Sequence, residues 1–255
     1  MYAHERHRKI TDILHSSSFQ SVERLAVMLN VSVATIRRDL AQLSKQSEVV
    51  RVHGGAVSLH YGLNQPVPSS EKNLEESQDA VQLARVALET IRDGETIALD
   101  SGPTVLELAK LLPQKSHVTI LCSSAVAAWT LRDARHLRVL CLGGEMFRAN
   151  RVNRGSFALQ MIGQMYFDKT FIEVSGIHPE KGLTIEDPAE TGIKQALLKQ
   201  SKEVILMATP SRLGHVAPVK LGETVEVQRL LAHSGAATAP LLEAIQKLGV
   251  SVTFV

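Results

Sequence analysis

Within the run SVATIRRDL, residues 32–40, two arginines stand side by side with an aspartate behind them. A guanidinium can take a guanine edge bidentately or grip a phosphate, and Thr and Gln reach base edges. Ser32, Thr35, Arg37, Arg38 and Gln42 are therefore a candidate nucleic-acid set if they share a helix. Neighbouring helical positions point about 100° apart. Thr35, Arg38 and Gln42 then fall on one flank and Arg37 with Ala41 on the other. One arginine reads bases while the other holds backbone, in either order. Asp39 would repel phosphate and is expected to orient an arginine or an amide. Downstream, Arg51 suits phosphate or the minor groove. With it go His53 and Gly54, since Gly54 and Gly55 permit the positive φ of a tight turn.

A second set recurs where apolar runs give way to helical ones. Asp100-Ser101-Gly102-Pro103-Thr104 follows one such run, Cys122-Ser123-Ser124 the next and Gly143-Gly144 the third. Free amides at a helix N-terminus favour anions, and hydroxyls add donors. Singly, each is an ordinary strand-to-helix turn. Three on one sheet edge make a pocket, to which Arg148, Arg151 and Arg154 can add cations. Cys122 and Cys141 are expected to be buried structural cysteines, and Trp129 is expected in the core.

The elements that must position these residues are legible as periodicity. Ile10, Ile13 and Leu14 mark a helix from about Glu5 to His15. Ser21 caps a second carrying Leu25, Ala26 and Leu29, and Asn30-Val31 forms a tight turn. Ser32 caps a third with the stripe Ile36, Leu40, Leu43. VVRVHGGAVSL reads as a hairpin. Helix, turn, helix and wing in that order predict a winged helix-turn-helix over 1–60. A polar stretch with two prolines is expected as a linker over 61–78. From Asp79 apolar runs alternate with helical ones to the final VSVTFV. This predicts an α/β sensing domain over 79–255 with a mainly parallel sheet.

Bulk composition is compatible with this. The 255 residues are 44% hydrophobic and 21% charged, with net charge +2. Residues 1–60 hold eight Lys/Arg against five Asp/Glu, and the remainder twenty against twenty-one. A basic end on a near-neutral body suits an anionic partner there. No run approaches the length of a membrane helix. MYAHERHRKI lacks the apolar stretch of a signal peptide. A cytoplasmic protein is expected, with no membrane partner. No His/Cys cluster has metal-ligand spacing, so neither metal nor cofactor is expected.

Arg6, Ile10, Leu14, Ser32, Thr35 to Leu40 and the wing RVHGGA match the amino-terminal signature of the DeoR family of bacterial transcription regulators. DGETIALDSGPT, LGGEMFR, DKTFIEVSGI and KGLTIEDPAE resemble that family's sensor blocks, so the resemblance runs almost the full length. It implies a sensor domain similar to sugar-phosphate isomerases that binds a phosphorylated sugar or related metabolite. Glu190 and Lys194 keep the family pattern, either touching the ligand or pairing along their helix. The chain departs from the pattern in several places. Ser47 replaces the glycine that ends the recognition helix, and Pro103 stands in the usual Gly-Thr-Thr. Cys122-Ser123 stands for Thr-Asn, and Thr209-Pro210-Ser211-Arg212 for Asp-Ser-Ser-Lys. Ala80 stands for a lysine. Arg212 retains a cation that clamps phosphate or carboxylate.

These readings predict a DNA-binding regulator, a metabolite-responsive repressor of a catabolic operon. Its partners are double-stranded operator DNA and a small anionic effector, and it assembles as a homodimer or homotetramer. The alternatives are an isomerase-type enzyme using Asp100 or Glu190 as base, and a regulator whose altered pocket yields control to a protein partner.

Overall fold

The computed structural model describes residues 3–15, 20–45, 49–52, 55–58, 71–147, 152–233, 235 and 238–255. The chain divides into two compact units, Met1–Leu74 and Glu75–Val255.

The first unit contains α1 (Ala3–His15), β1 (Gln20–Ser21), α2 (Val22–Leu29), α3 (Val33–Lys45), β2 (Val49–Val52) and β3 (Gly55–Ser58). Ser21 caps α2 by accepting from the Arg24 amide, and Asn30 closes it in the left-handed region at φ 51°. Ser32 accepts from the Thr35 amide at 3.1 Å and so caps α3. Ile10, Leu14, Leu25, Ile36, Leu40, Leu43, Val49 and Ala56 form the core, in which the predicted stripes meet. Val52 pairs with Gly55 across the hairpin. The wing also has a third strand, β1, which pairs antiparallel with β3. Two residues are too few for a periodic signal, so β1 could not be foreseen.

The second unit holds α4 (Glu71–Thr90) from Glu75 onward, then β4 (Thr96–Leu99), α5 (Pro103–Leu111), β5 (Thr119–Cys122), α6 (Ala125–Thr130), β6 (Arg138–Cys141), β7 (Glu145–Phe147), β8 (Val152–Arg154) and α7 (Ser156–Gly163). It continues β9 (Phe167–Ile172), β10 (Gly176–His178), β11 (Gly182–Ile185), α8 (Thr191–Lys199), β12 (Ser201–Ala208), β13 (Val219–Gly222), β14 (Arg229–Ala232), α9 (Ala239–Lys247) and β15 (Ser251–Phe254). Seven strands form one sheet in the order β15-β14-β12-β9-β4-β5-β6, and every pairing in it is parallel. Alternation along each strand feeds both faces. Ile97 and Leu99 pack with α4 and α5 residues such as Leu83 and Leu108. Ala98 packs with Ile162 of α7 and Leu197 of α8.

Several expectations are corrected. α4 begins at Glu71, not Asp79, so the last eight residues of the expected 61–78 linker are helical. EKNLEES lacks an apolar stripe, but Glu, Lys and Leu are good helix formers. β14 was not foreseen. It offers only four residues and is defined by parallel partners on both sides. β10, β11 and β13 form a separate antiparallel sheet, and β7 pairs antiparallel with β8. Trp129 is 68% exposed rather than in the core. α6 is six residues long and buries Ala127, so Trp129 two residues on turns about 200° away. Cys122 is buried, whereas Cys141 is exposed. Burial, then the proximity of Cys141, pushes the Cys122 thiol up to about 12. It is inert as a nucleophile at neutral pH.

Candidate functional site

Two sites emerge, one in each unit. In the first, α3 presents Ser32, Arg37, Arg38 and Gln42 exposed and Thr35 half-buried, while Ile36, Leu40 and Leu43 face inward. The Thr35 hydroxyl lies 2.8 Å from that of Ser32. These two therefore shape the start of α3, and Arg37, Arg38 and Gln42 are left as the outward polar groups. Arg51 lies on β2. His53, Gly54 and Ser47 lie outside the described residues.

Asp39 does orient an arginine, and the arginine belongs to another helix. Its carboxylate accepts from Arg6 Nε at 2.6 Å and Arg6 Nη2 at 3.0 Å, and lies 3.1 Å from His7 Nε2. This fork pins α1 to α3. Burial acts to raise the Asp39 pKa, but the bonds from Arg6 and His7 outweigh it and hold the carboxyl below its ordinary value. A lowered carboxylate pKa adds stability at pH above the unfolded value. That stability fades as pH falls through the folded one. Asp39→Asn is expected to destabilise the amino-terminal unit by about 2 kcal/mol near neutral pH, with little further effect below the ordinary carboxylate range. Denaturant melts at two pH values measure this. Equal losses at both would refute the ionic role.

The second site sits where the sheet reverses. Beginning at β4, the chain adds β5 and β6 on one side, then returns to place β9 on the other. Such a switch point opens a crevice at the carboxyl ends of the two central strands. Asp100 follows β4 and Glu173 follows β9, and both are buried. Lys194, reaching from α8, donates to Asp100 Oδ2 and to the Glu173 carbonyl, the latter at 2.8 Å, and lies 3.5 Å from Glu190 Oε2. Burial acts to lower the Lys194 pKa, yet Asp100 and Glu190 raise it above the ordinary ammonium value. Lys194 therefore both pairs along its helix and crosses to Asp100. Its three protons face three acceptors, so it organises the site and is not a loose cation.

The loop 101–104 opens α5 with Pro103 in the first turn and Gly102 at φ 139°, a region that favours glycine. A Cβ on Gly102 would lie 2.4 Å from Glu173 Oε2. The same Oε2 accepts from the Thr104 amide at 2.9 Å. Burial raises the Glu173 pKa, offset in part by the Thr104 amide, Lys194, Arg212 and, least of these, the Thr104 side chain. Glu173 was not foreseen as a site residue. It falls inside an apolar strand run, and only the β4–β9 pairing brings it to Gly102.

Four buried polar atoms around this crevice have no hydrogen-bond partner among the described residues: Asp100 Oδ1, Thr104 Oγ1, Ser123 Oγ and Arg212 Nε. Buried polar atoms are rarely left so. Ser101 is buried beside them. Ser124 is committed to capping α6, accepting from the Val126 amide at 3.2 Å. The chain at Arg154 passes close to Gly144, where an added Cβ would meet the Arg154 carbonyl, whereas Gly143 has open space. The Arg154 guanidinium stacks 3.9 Å from the centroid of Phe147. Arg148 and Arg151 lie outside the described residues. Among the described residues no three metal-ligating side chains converge, and no helix is long and apolar enough to cross a membrane.

Residues 6–61 match the model of the DeoR-like helix-turn-helix domain, and residues 75–233 that of the DeoR C terminal sensor domain. The chain belongs to the DeoR family. It is a transcriptional regulator with an amino-terminal DNA-binding module and a sensor domain, not an enzyme. Curated relatives include the HTH-type transcriptional repressor GlcR of Bacillus subtilis, 31% identical over 91% of this chain and 88% of its own length. The transcriptional repressor AccR of Agrobacterium fabrum is 31% identical over 82% and 81%. The glycerol-3-phosphate regulon repressor of Escherichia coli is 29% identical over 86% of each. Among solved structures, the sorbitol operon regulator SorC from Klebsiella pneumoniae aligns over 76% of this chain and 84% of its own, at 12% identity and TM-score 0.39.

Proposed function

We propose that this DeoR-family chain is a repressor of a catabolic operon, released from its operator by a small hydroxylated, anionic metabolite. The single observation that carries the effector reading is the group of four unpartnered buried polar atoms at the sheet's switch point. Two are hydroxyls, one is a carboxylate oxygen and one a guanidinium nitrogen, the mixture a sugar-derived anion satisfies. The α3 residues Arg37, Arg38 and Gln42 read the major groove, and the β2 residue Arg51 holds backbone. Two copies on repeated half-sites match the symmetry of such operators, so a homodimer or a dimer of dimers binds. Release requires that the effector bind the DNA-free conformation more tightly than the DNA-bound one.

The test is a mobility-shift titration of the full chain on its own upstream region, with candidate metabolites added to the preformed complex. A retarded band that one phosphorylated or carboxylated metabolite removes supports the reading. A band that no metabolite changes overturns the effector half of it. Failure to bind the upstream region overturns the repressor half.

A further inference from the structure

The loop that opens α5 presents free amides at a helix N-terminus, the arrangement that receives a phosphate group. In this chain that position is already filled. The Glu173 side chain lies across Gly102 and takes the Thr104 amide at 2.9 Å. Glycine at 102 is what lets the carboxyl come so close. Two further acidic groups, Asp100 and Glu190, face the same crevice, and Lys194 is consumed in holding them. Arg212 acts on the Glu173 carboxyl through space, but its buried Nε has no hydrogen-bond partner among the described residues, which leaves it as a cation that a ligand can meet. A doubly charged phosphate ester would have to displace Glu173 and be desolvated beside Asp100 with a single guanidinium in compensation. A singly charged carboxylate needs only one guanidinium in compensation and can meet it bidentately. Asp100 Oδ1 is an unsatisfied acceptor, and the hydroxyls of Thr104 and Ser123 accept or donate, so the rest of the ligand carries hydroxyl groups.

We propose that Glu173 is a specificity-determining residue that bars phosphate groups from the α5 amino terminus, so that the effector is a polyhydroxy carboxylic acid, held by its carboxylate on Arg212 and by its hydroxyls on Asp100, Thr104 and Ser123. The proposal rests on the effector reading above and narrows it to one class.

The experiment is calorimetric titration of the full chain and of Glu173→Ala with inorganic phosphate, ribose 5-phosphate and a panel of aldonic acids. The wild-type chain is expected to bind an aldonic acid and neither phosphate compound. Glu173→Ala frees the Thr104 amide and is expected to bind inorganic phosphate about tenfold or more tightly than wild type. Glu173→Ser, which also vacates the loop, substitutes if the alanine variant does not fold. Equal phosphate binding by wild type and variants overturns the role of Glu173. Tighter binding of ribose 5-phosphate than of every aldonic acid by wild type overturns the effector class. Operator release is scored separately. If Glu173→Ala gains phosphate binding and no compound releases DNA, Glu173 keeps its role while the effector-release reading fails.

Discussion

Replacing Lys194 by methionine is expected to cost the carboxy-terminal unit about 3–5 kcal/mol. Methionine keeps the length and apolar stem of lysine, so packing along α8 is nearly preserved. What is lost is the ammonium that compensates Asp100, whose side chain is 1% exposed. A carboxylate stranded there must either stay ionised without a partner or take up a proton, and both routes destabilise the fold. The Glu173 carbonyl also loses its donor. The pH dependence has a definite sign. Lys194 is raised above its ordinary value, so its contribution is fully present below that value and lost only as pH rises through the folded one. The wild-type excess stability over the variant is therefore flat across neutral pH. Combining Lys194→Met with Asp100→Leu removes the stranded charge and is expected to recover most of the loss, as for other buried pairs replaced by apolar groups. Chemical denaturation of the three proteins checks this. A single-variant loss below about 1 kcal/mol would show that the pair is solvated and not a structural spoke.

The second large effect falls on operator binding. Arg37→Ala with Arg38→Ala is expected to abolish sequence preference and weaken operator affinity by about 2–6 kcal/mol, taking roughly 1–3 for each arginine contact. Both side chains are exposed and neither supports the core, so thermal stability is expected to stay within about 0.5 kcal/mol of wild type. The single variants divide the roles. The arginine that reads a base edge relaxes preference at one position when removed. The arginine on phosphate weakens all sequences alike and lowers the salt slope by about 1. Specific binding retained by the double variant would mean that α3 does not carry recognition.

Helix α3 was readable because its signals are local. Ser32 caps, Ile36, Leu40 and Leu43 recur at helical spacing, and the outward residues follow from the inward ones. The alternation of strand and helix after residue 79 was readable for the same reason, as was the position of Asp100, Thr104 and Ser123 at strand ends. Short or non-periodic pieces were not. β1 and β14 gain strand character from their neighbours, and Trp129 looks like a core residue until the length of α6 turns it outward. The close passage of the chain at Arg154 beside Gly144 was equally hidden.

What the sequence by itself determined, then, is the order of the longer helices and central strands, the face of α3 that meets solvent, and the residues at the mouths of the strands. These depend on periodicity and caps within about ten residues. Only the tertiary structure decided the partners. Asp39 reaches back to Arg6 and His7, Lys194 crosses to Asp100, and Glu173 lies over Gly102. Each of these contacts joins residues far apart in the chain. They exist because α1 packs on α3 and because the strand order switches sides between β4 and β9, which run parallel as neighbours. Pairings of that kind are set by how elements close on one another in space, which no local pattern encodes.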